Sequence, residues 1–244
     1  MQTLSPRQKS AATQEWVSAL KNIELLDDKL FANAVFELDE ETLISFINQD
    51  KYTAGTTYRF ELGIHANQIV LILVPRNING QLIEQKAYLY TPFVELKNNI
   101  PLVQGGKGTL ATATLTPNME VINLNPDDAQ VEVEKPTISI PTFTERIALW
   151  KEMGREWLLG EFHTDKCCNV FTCFYIPKES LIKNQSVHPI TACFGLKSES
   201  IEPSCPARVS LELIKHVNIT PVETHLSSNI FNYAKPCPPN CQEM

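Results

Sequence analysis

Phe36-Glu-Leu-Asp-Glu-Glu-Thr-Leu-Ile44 is said again in the second half of the chain, in altered words, as Phe174-Tyr-Ile-Pro-Lys-Glu-Ser-Leu-Ile182. Phe opens both, a branched apolar residue follows two places on (Leu38, Ile176), Glu stands sixth, a hydroxyl seventh, and Leu-Ile closes. The echo extends outward in order. Trp16 and Trp150 each sit in an amphipathic stretch upstream, Tyr58-Arg-Phe-Glu-Leu-Gly-Ile64 answers to Thr191-Ala-Cys-Phe-Gly-Leu196, and Ile69-Val-Leu-Ile-Leu-Val74 answers to Val209-Ser-Leu-Glu-Leu-Ile214. Ordered self-similarity is the mark of a repeated architecture, and the spacing drifts as loops tolerate insertion better than packed elements do. The expected fold class is therefore α+β: two related modules, each a small antiparallel sheet with two helices packed on one face. Module one covers 1–95, a Pro/Gly-rich connector with a short hairpin 96–141, module two 142–220, and a C-terminal strand with a Cys-Pro-Pro-Asn-Cys tail 221–244. The two modules are expected to meet through an apolar contact.

Local patterns place the elements. Ser5-Pro-Arg-Gln8 carries a capping box with proline at the first helical position, and Trp16, Leu20, Ile23 and Leu26 or Leu30 follow at helical spacing. Residues 31–38 read as a strand. Asp39 then caps a helix over 40–48, with Glu40 and Glu41 in its first turn and Leu43, Ile44, Phe46 and Ile47 on its buried face. Period-two alternation puts Tyr58, Phe60, Leu62 and Ile64 on one side of a half-buried strand. The continuous apolar run 69–74 suits a central strand ended by Pro75, and Asn79-Gly80, both tolerant of positive φ, turns the chain into a third strand over 81–90. The stretch 91–141 holds six prolines and Gly105-Gly-Lys-Gly108, which lacks the hydroxyl after lysine that a phosphate loop requires; Thr109 to Thr116 alternates as a strand or hairpin. Thr142-Phe-Thr-Glu145 is a second capping box, followed by Ile147, Trp150, Met153 and Trp157 on a helix. The connection between 197 and 207 is longer than its counterpart in module one.

Composition narrows the function. The chain has 244 residues, 43% hydrophobic and 20% charged, with a net charge of −7. It lacks the basic footprint of a nucleic-acid binder and any apolar run long enough to span a bilayer, so neither nucleic acid nor membrane insertion is expected. The opening residues 1–10 lack the charged-then-apolar order of a signal peptide, which makes the cytoplasm the expected compartment.

All seven cysteines fall from Cys167 onward. His163, Cys167, Cys237 and Cys241, with Cys168 and Cys173 nearby, are the candidate metal ligands: thiolate and imidazole suit zinc, and His163 and Cys167 lie one helical turn apart. No other cofactor is implied. Cys173 and Cys193 fall in strand positions that suit buried packing. Cys237 and Cys241 could alternatively form a local disulfide or serve as acceptor thiols. For nucleophilic catalysis, His163-Thr-Asp165 supplies residue types without geometry, His188 and His216 stand alone, and Asp27-Asp28 and Asp127-Asp128 read as solvated turns, so no catalytic residue is assigned. The expected function is a soluble binding or interaction protein, its partner a protein or small molecule. The alternatives are a metal- or thiol-dependent protein using the cysteines, and an enzyme whose site lies at the junction of the modules.

Trp16, the helix around Leu43, the strand Tyr58 to Ile64, the strand Ile69 to Val74 with Asn79-Gly80, and Cys237-Pro-Pro-Asn-Cys241 together resemble small uncharacterised proteins of Bacteroidota. The resemblance covers roughly the first 90 residues and the last ten, and it implies fold and source without an activity.

Overall fold

Strand-forming alternation dominates this chain. The computed structural model describes residues 2–22, 24, 26–47, 57–77, 79–106, 109–124, 137–163, 171–177, 181, 189–198, 207–216, 228–232 and 235–237. In chain order these form β1 (Gln2–Leu4), α1 (Pro6–Leu20), α2 (Asp27–Leu30), β2 (Ala34–Leu38), α3 (Glu40–Ile47), β3 (Thr57–His65), β4 (Gln68–Arg76) and β5 (Tyr88–Glu95). There follow β6 (Ile100–Gly106), β7 (Thr109–Leu115), β8 (Val121–Ile122), α4 (Ile140–His163), β9 (Cys173–Pro177), β10 (Ile190–Ser198), β11 (Ala207–Lys215), β12 (Ile230–Phe231) and β13 (Lys235–Cys237).

The two-module α+β architecture is overturned: the fold is mostly β, one large curled antiparallel sheet shaped as a half-barrel, with a small three-stranded sheet beside it and few helices. The large sheet runs β12-β11-β10-β2-β5-β4-β3-β9-β13, with β1 added on β5. The echoed strands do not stay in their own halves. β2 pairs with β10 (Phe36 opposite Ala192), and β9 pairs with β3 (Phe174 opposite Phe60), so each half completes the sheet of the other. Periodicity reports which face of a strand is buried but not which strand lies beside it, and an unpaired edge in either half is satisfied by the other. β5 bends to serve two partners, β4 through Ile72↔Tyr90 and β2 through Phe36↔Phe93. The short strands at the two ends of the order, β12 and β13, are close neighbours in sequence, so one C-terminal segment pairs with both ends of the curl.

Inside the curl lies the main core. Tyr58, Phe60, Leu62 and Ile64 of β3 point into it as expected, joined by Phe36, Phe171, Phe174, Phe194, Trp16 and Trp150. The Trp16 indole Nε1 donates to the Phe171 carbonyl at 3.2 Å, which satisfies its one polar atom inside the apolar cluster.

All four helices contribute side chains to this core, and α1 and α4 also meet the opposite faces of β3 and β10. α1 begins with the expected box, Gln8 N donating to Ser5 Oγ and Ser5 N to Gln8 Oε1. It seats on β3 at Gly63, where a Cβ would stand 3.1 Å from the Ala12 Cβ. α4 seats on β10 in the same way, a Cβ on Gly195 standing 3.1 Å from the Arg146 Cβ. Both glycines are where a strand admits close approach of a helix. α4 starts at Ile140, not at the Thr142 box: Ser139 Oγ accepts from Thr142 N at 3.2 Å and is the cap. Its Phe143, Ile147 and Trp150 are buried, whereas Met153 is exposed. In α3, Asp39 caps Thr42 N at 2.8 Å, and Leu43 is buried, but Ile44 faces outward; the Phe46 and Ile47 side chains lie outside the described residues. Burial pushes the Asp39 carboxyl up, yet the hydroxyl and amide bonds from Thr42 outweigh it and hold the group below its ordinary range.

Pro75 does not end β4, which continues to Arg76. After Asn79-Gly80 the return is a single bridge, Arg76↔Leu82, before β5 starts at Tyr88. Asp27 and Asp28 open α2 instead of lying in a turn. The strands β6, β7 and β8 form the small sheet, whose Leu102, Ala111, Ala113 and Leu115 pack with Phe143, Ile147, Cys193 and Ile214 in a second core.

The β3–β4 hairpin turns on Ala66 and Asn67, at φ 47° and 63°. Alanine in the left-handed region is strained, unlike asparagine or glycine. Ala66→Gly is therefore expected to raise stability by about 0.5–1 kcal/mol, read as a higher urea midpoint at unchanged slope; a lower midpoint would show that the turn is unstrained.

Candidate functional site

The alternation that sends Tyr58, Phe60 and Leu62 into the core sends Arg59 and Glu61 to the opposite face of β3, where α1 crosses. On α1, Lys9, Thr13 and Val17 recur at four-residue spacing and so share one stripe. The two elements enclose a groove of about 660 Å³, lined also by Gln14, Trp16, Ser18, Leu62, Leu82 and Thr172. At its base Glu61 is 4% exposed and pairs with two cations: the Lys9 ammonium contacts its Oε2, and Arg59 Nε lies 3.2 Å from its Oε1. The carboxylate is nearly dehydrated, so the cations must stay close; breaking such a pair leaves a buried uncompensated charge.

On the neighbouring strand, Cys173 stands opposite Glu61 and Tyr175 opposite Arg59. The guanidinium carbons of Arg59 and Arg76 lie 5.9 and 5.0 Å from the centre of the Tyr175 ring. The Cys173 thiol is pushed up by burial, only partly offset by Arg59, which disfavours its thiolate.

A second buried ionic cluster lies under α4. Glu212 of β11 is fully buried, and its Oε1 accepts from Arg146 Nη1 at 3.0 Å, Ser210 Oγ at 2.6 Å and Asn232 Nδ2 at 2.9 Å. Its Oε2 accepts no hydrogen bond among the described residues. Cys193, opposite Glu212 on β10, is pushed well up by burial and then by that carboxylate. Both Cys173 and Cys193 are buried free thiols.

His163 is the last residue of α4, and Cys237 ends β13 with its backbone in register opposite Cys173. Cys167, Cys168, Cys241, Asp165, His188, Asp127 and Asp128 lie outside the described residues, as does most of the long connection after Lys197. Among the described residues no three His, Cys, Asp or Glu side chains are placed to hold a metal. His216 Nε2 is 2.8 Å from the Thr191 hydroxyl, and burial lowers its pKa against the pull of Glu37. Phe36 and Phe60 of the first half pack with Phe174 and Phe194 of the second in the main core. No helix among the described residues is long and apolar enough to cross a membrane.

Sequence reading missed Arg59, Glu61 and Glu212, because charged residues in a period-two pattern read as the solvent face, and it missed Lys9 and Arg146, because charged residues on a helix read the same way. The signal was Gly63 and Gly195: a glycine on the same strand face as those charges marks that face as covered. Compared with known proteins, the chain matches no family model, no curated protein and no solved structure.

Proposed function

We propose that this protein is a binding protein whose ligand is a small anion held in the groove between α1 and β3. The observation that carries the reading is the charge at the base of the groove. Lys9 and Arg59 bring two positive charges and Glu61 one negative, which leaves one positive charge in excess among the lining residues. The cations are the reachable members, with side chains 18% and 24% exposed against 6% for Glu61. A concave site of this size with few convergent polar groups is the usual form of a small-molecule pocket.

Calorimetric titration with acetate, benzoate and inorganic phosphate tests it. At least one should bind saturably, and Arg59→Met should weaken that binding roughly 10- to 100-fold, the value of one hydrogen bond to a charged group. Equal binding by parent and variant would remove the site.

A thiol-based reading has one observation behind it, the register that sets Cys237 opposite Cys173. Seven free thiols on unfolding protein purified without reductant would dispose of it.

A further inference from the structure

The groove has a second property that the anion reading does not use. Val17 and Leu82 both line it and are 44% and 47% exposed, two of the six large apolar side chains left in water among the described residues. Isolated exposed apolar residues are ordinary, but two on the lining of one cavity that also holds an excess cation are not scattered singly. Resting on the reading above, we propose that the ligand is a monocarboxylate with an apolar tail: the head on Arg59 and Lys9, the tail against Val17 and Leu82.

The charge count selects the head group. One net positive charge balances a carboxylate, whereas a phosphate dianion would leave a negative charge in a site already holding Glu61. Arg59 also has the planar fork that a carboxylate matches, on a side chain that is 24% exposed. The tail is selected by the apolar lining. Each methylene taken out of water there should tighten binding about fourfold, so chain length and affinity should rise together until the groove is full.

The test is calorimetry on the full chain with acetate, butyrate, hexanoate and octanoate, each below its micellar concentration, beside inorganic phosphate, 1-octanol and an acetylated dipeptide ending in leucine. The expected result is a rise in affinity from acetate to octanoate of more than tenfold, with phosphate and 1-octanol each at least tenfold weaker than octanoate. Val17→Ser with Leu82→Ser, both at exposed positions, should flatten that series; Arg59→Met should weaken every carboxylate. Acetate and octanoate binding equally, both lost in Arg59→Met, would keep the anion site and overturn the apolar tail. Phosphate binding more tightly than octanoate would overturn the carboxylate head. The dipeptide binding tenfold more tightly than octanoate would overturn the free small-molecule ligand in favour of a peptide terminus. No binding by any probe, or binding untouched by Arg59→Met, would overturn the anion site itself.

Discussion

Phe194→Ala is expected to destabilise the protein by about 3–5 kcal/mol, a large share of the 5–15 kcal/mol that holds an ordinary domain folded. The ring is 2% exposed and stands 5.4 to 6.3 Å, centroid to centroid, from five aromatic neighbours. It contacts Phe36 at 5.6 Å, Phe93 at 5.4 Å, Trp150 at 5.4 Å, Phe171 at 5.4 Å and Phe174 at 6.3 Å. Those neighbours come from both halves of the chain, so removing one ring opens a cavity that neither half can close alone. Urea unfolding followed by tryptophan emission and by far-ultraviolet circular dichroism should show one shared midpoint, displaced downward in the variant. Two separated transitions in the parent would mean that the halves fold independently. A fragment of residues 1–95 gives the same test more severely: β2 would lack β10 and β3 would lack β9, and the fragment should show no cooperative transition.

The second large effect lies at Glu212. Replacing it with leucine leaves the Arg146 guanidinium, 12% exposed, without its buried partner, at a cost of about 3–5 kcal/mol. The same place on the first half shows what an apolar solution looks like. Around Gly63 the near neighbours are Ala12 and Ile72, where around Gly195 they are Arg146, Ser210 and Glu212. Arg146→Met with Glu212→Leu should therefore recover most of the loss of the single variant. It should remain short of the parent by roughly 1–3 kcal/mol, because Ser210 and Asn232 would lose the oxygen to which they donate. A double-mutant cycle in urea reads the coupling directly. Losses that simply add would show that Arg146 and Glu212 do not depend on each other.

Local chemistry was legible wherever it rests on a few neighbouring residues. The Ser5 and Gln8 box, the Asp39 cap, the inward side of β3 and the burial of Cys173 and Cys193 follow from short-range hydrogen bonding, dipoles and alternation, and the sequence by itself determined them. The Thr142 box shows the limit even there, since the helix begins one turn earlier and Ser139 caps it by accepting from the Thr142 amide. Strand partners were not legible. Phe36 and Phe174 read as two copies of one motif, yet each pairs across to the other half, because hydrogen-bonding edges carry no sequence label and are matched only as the whole sheet curls. The groove was hidden for a related reason. Arg59 and Glu61 are polar at positions that alternate outward, and water would cover them on an open sheet. The tertiary structure lays α1 over that face, dehydrates Glu61 and draws Lys9 and Arg59 onto it, and so turns an ordinary solvent-facing pattern into a charged site at the base of a groove.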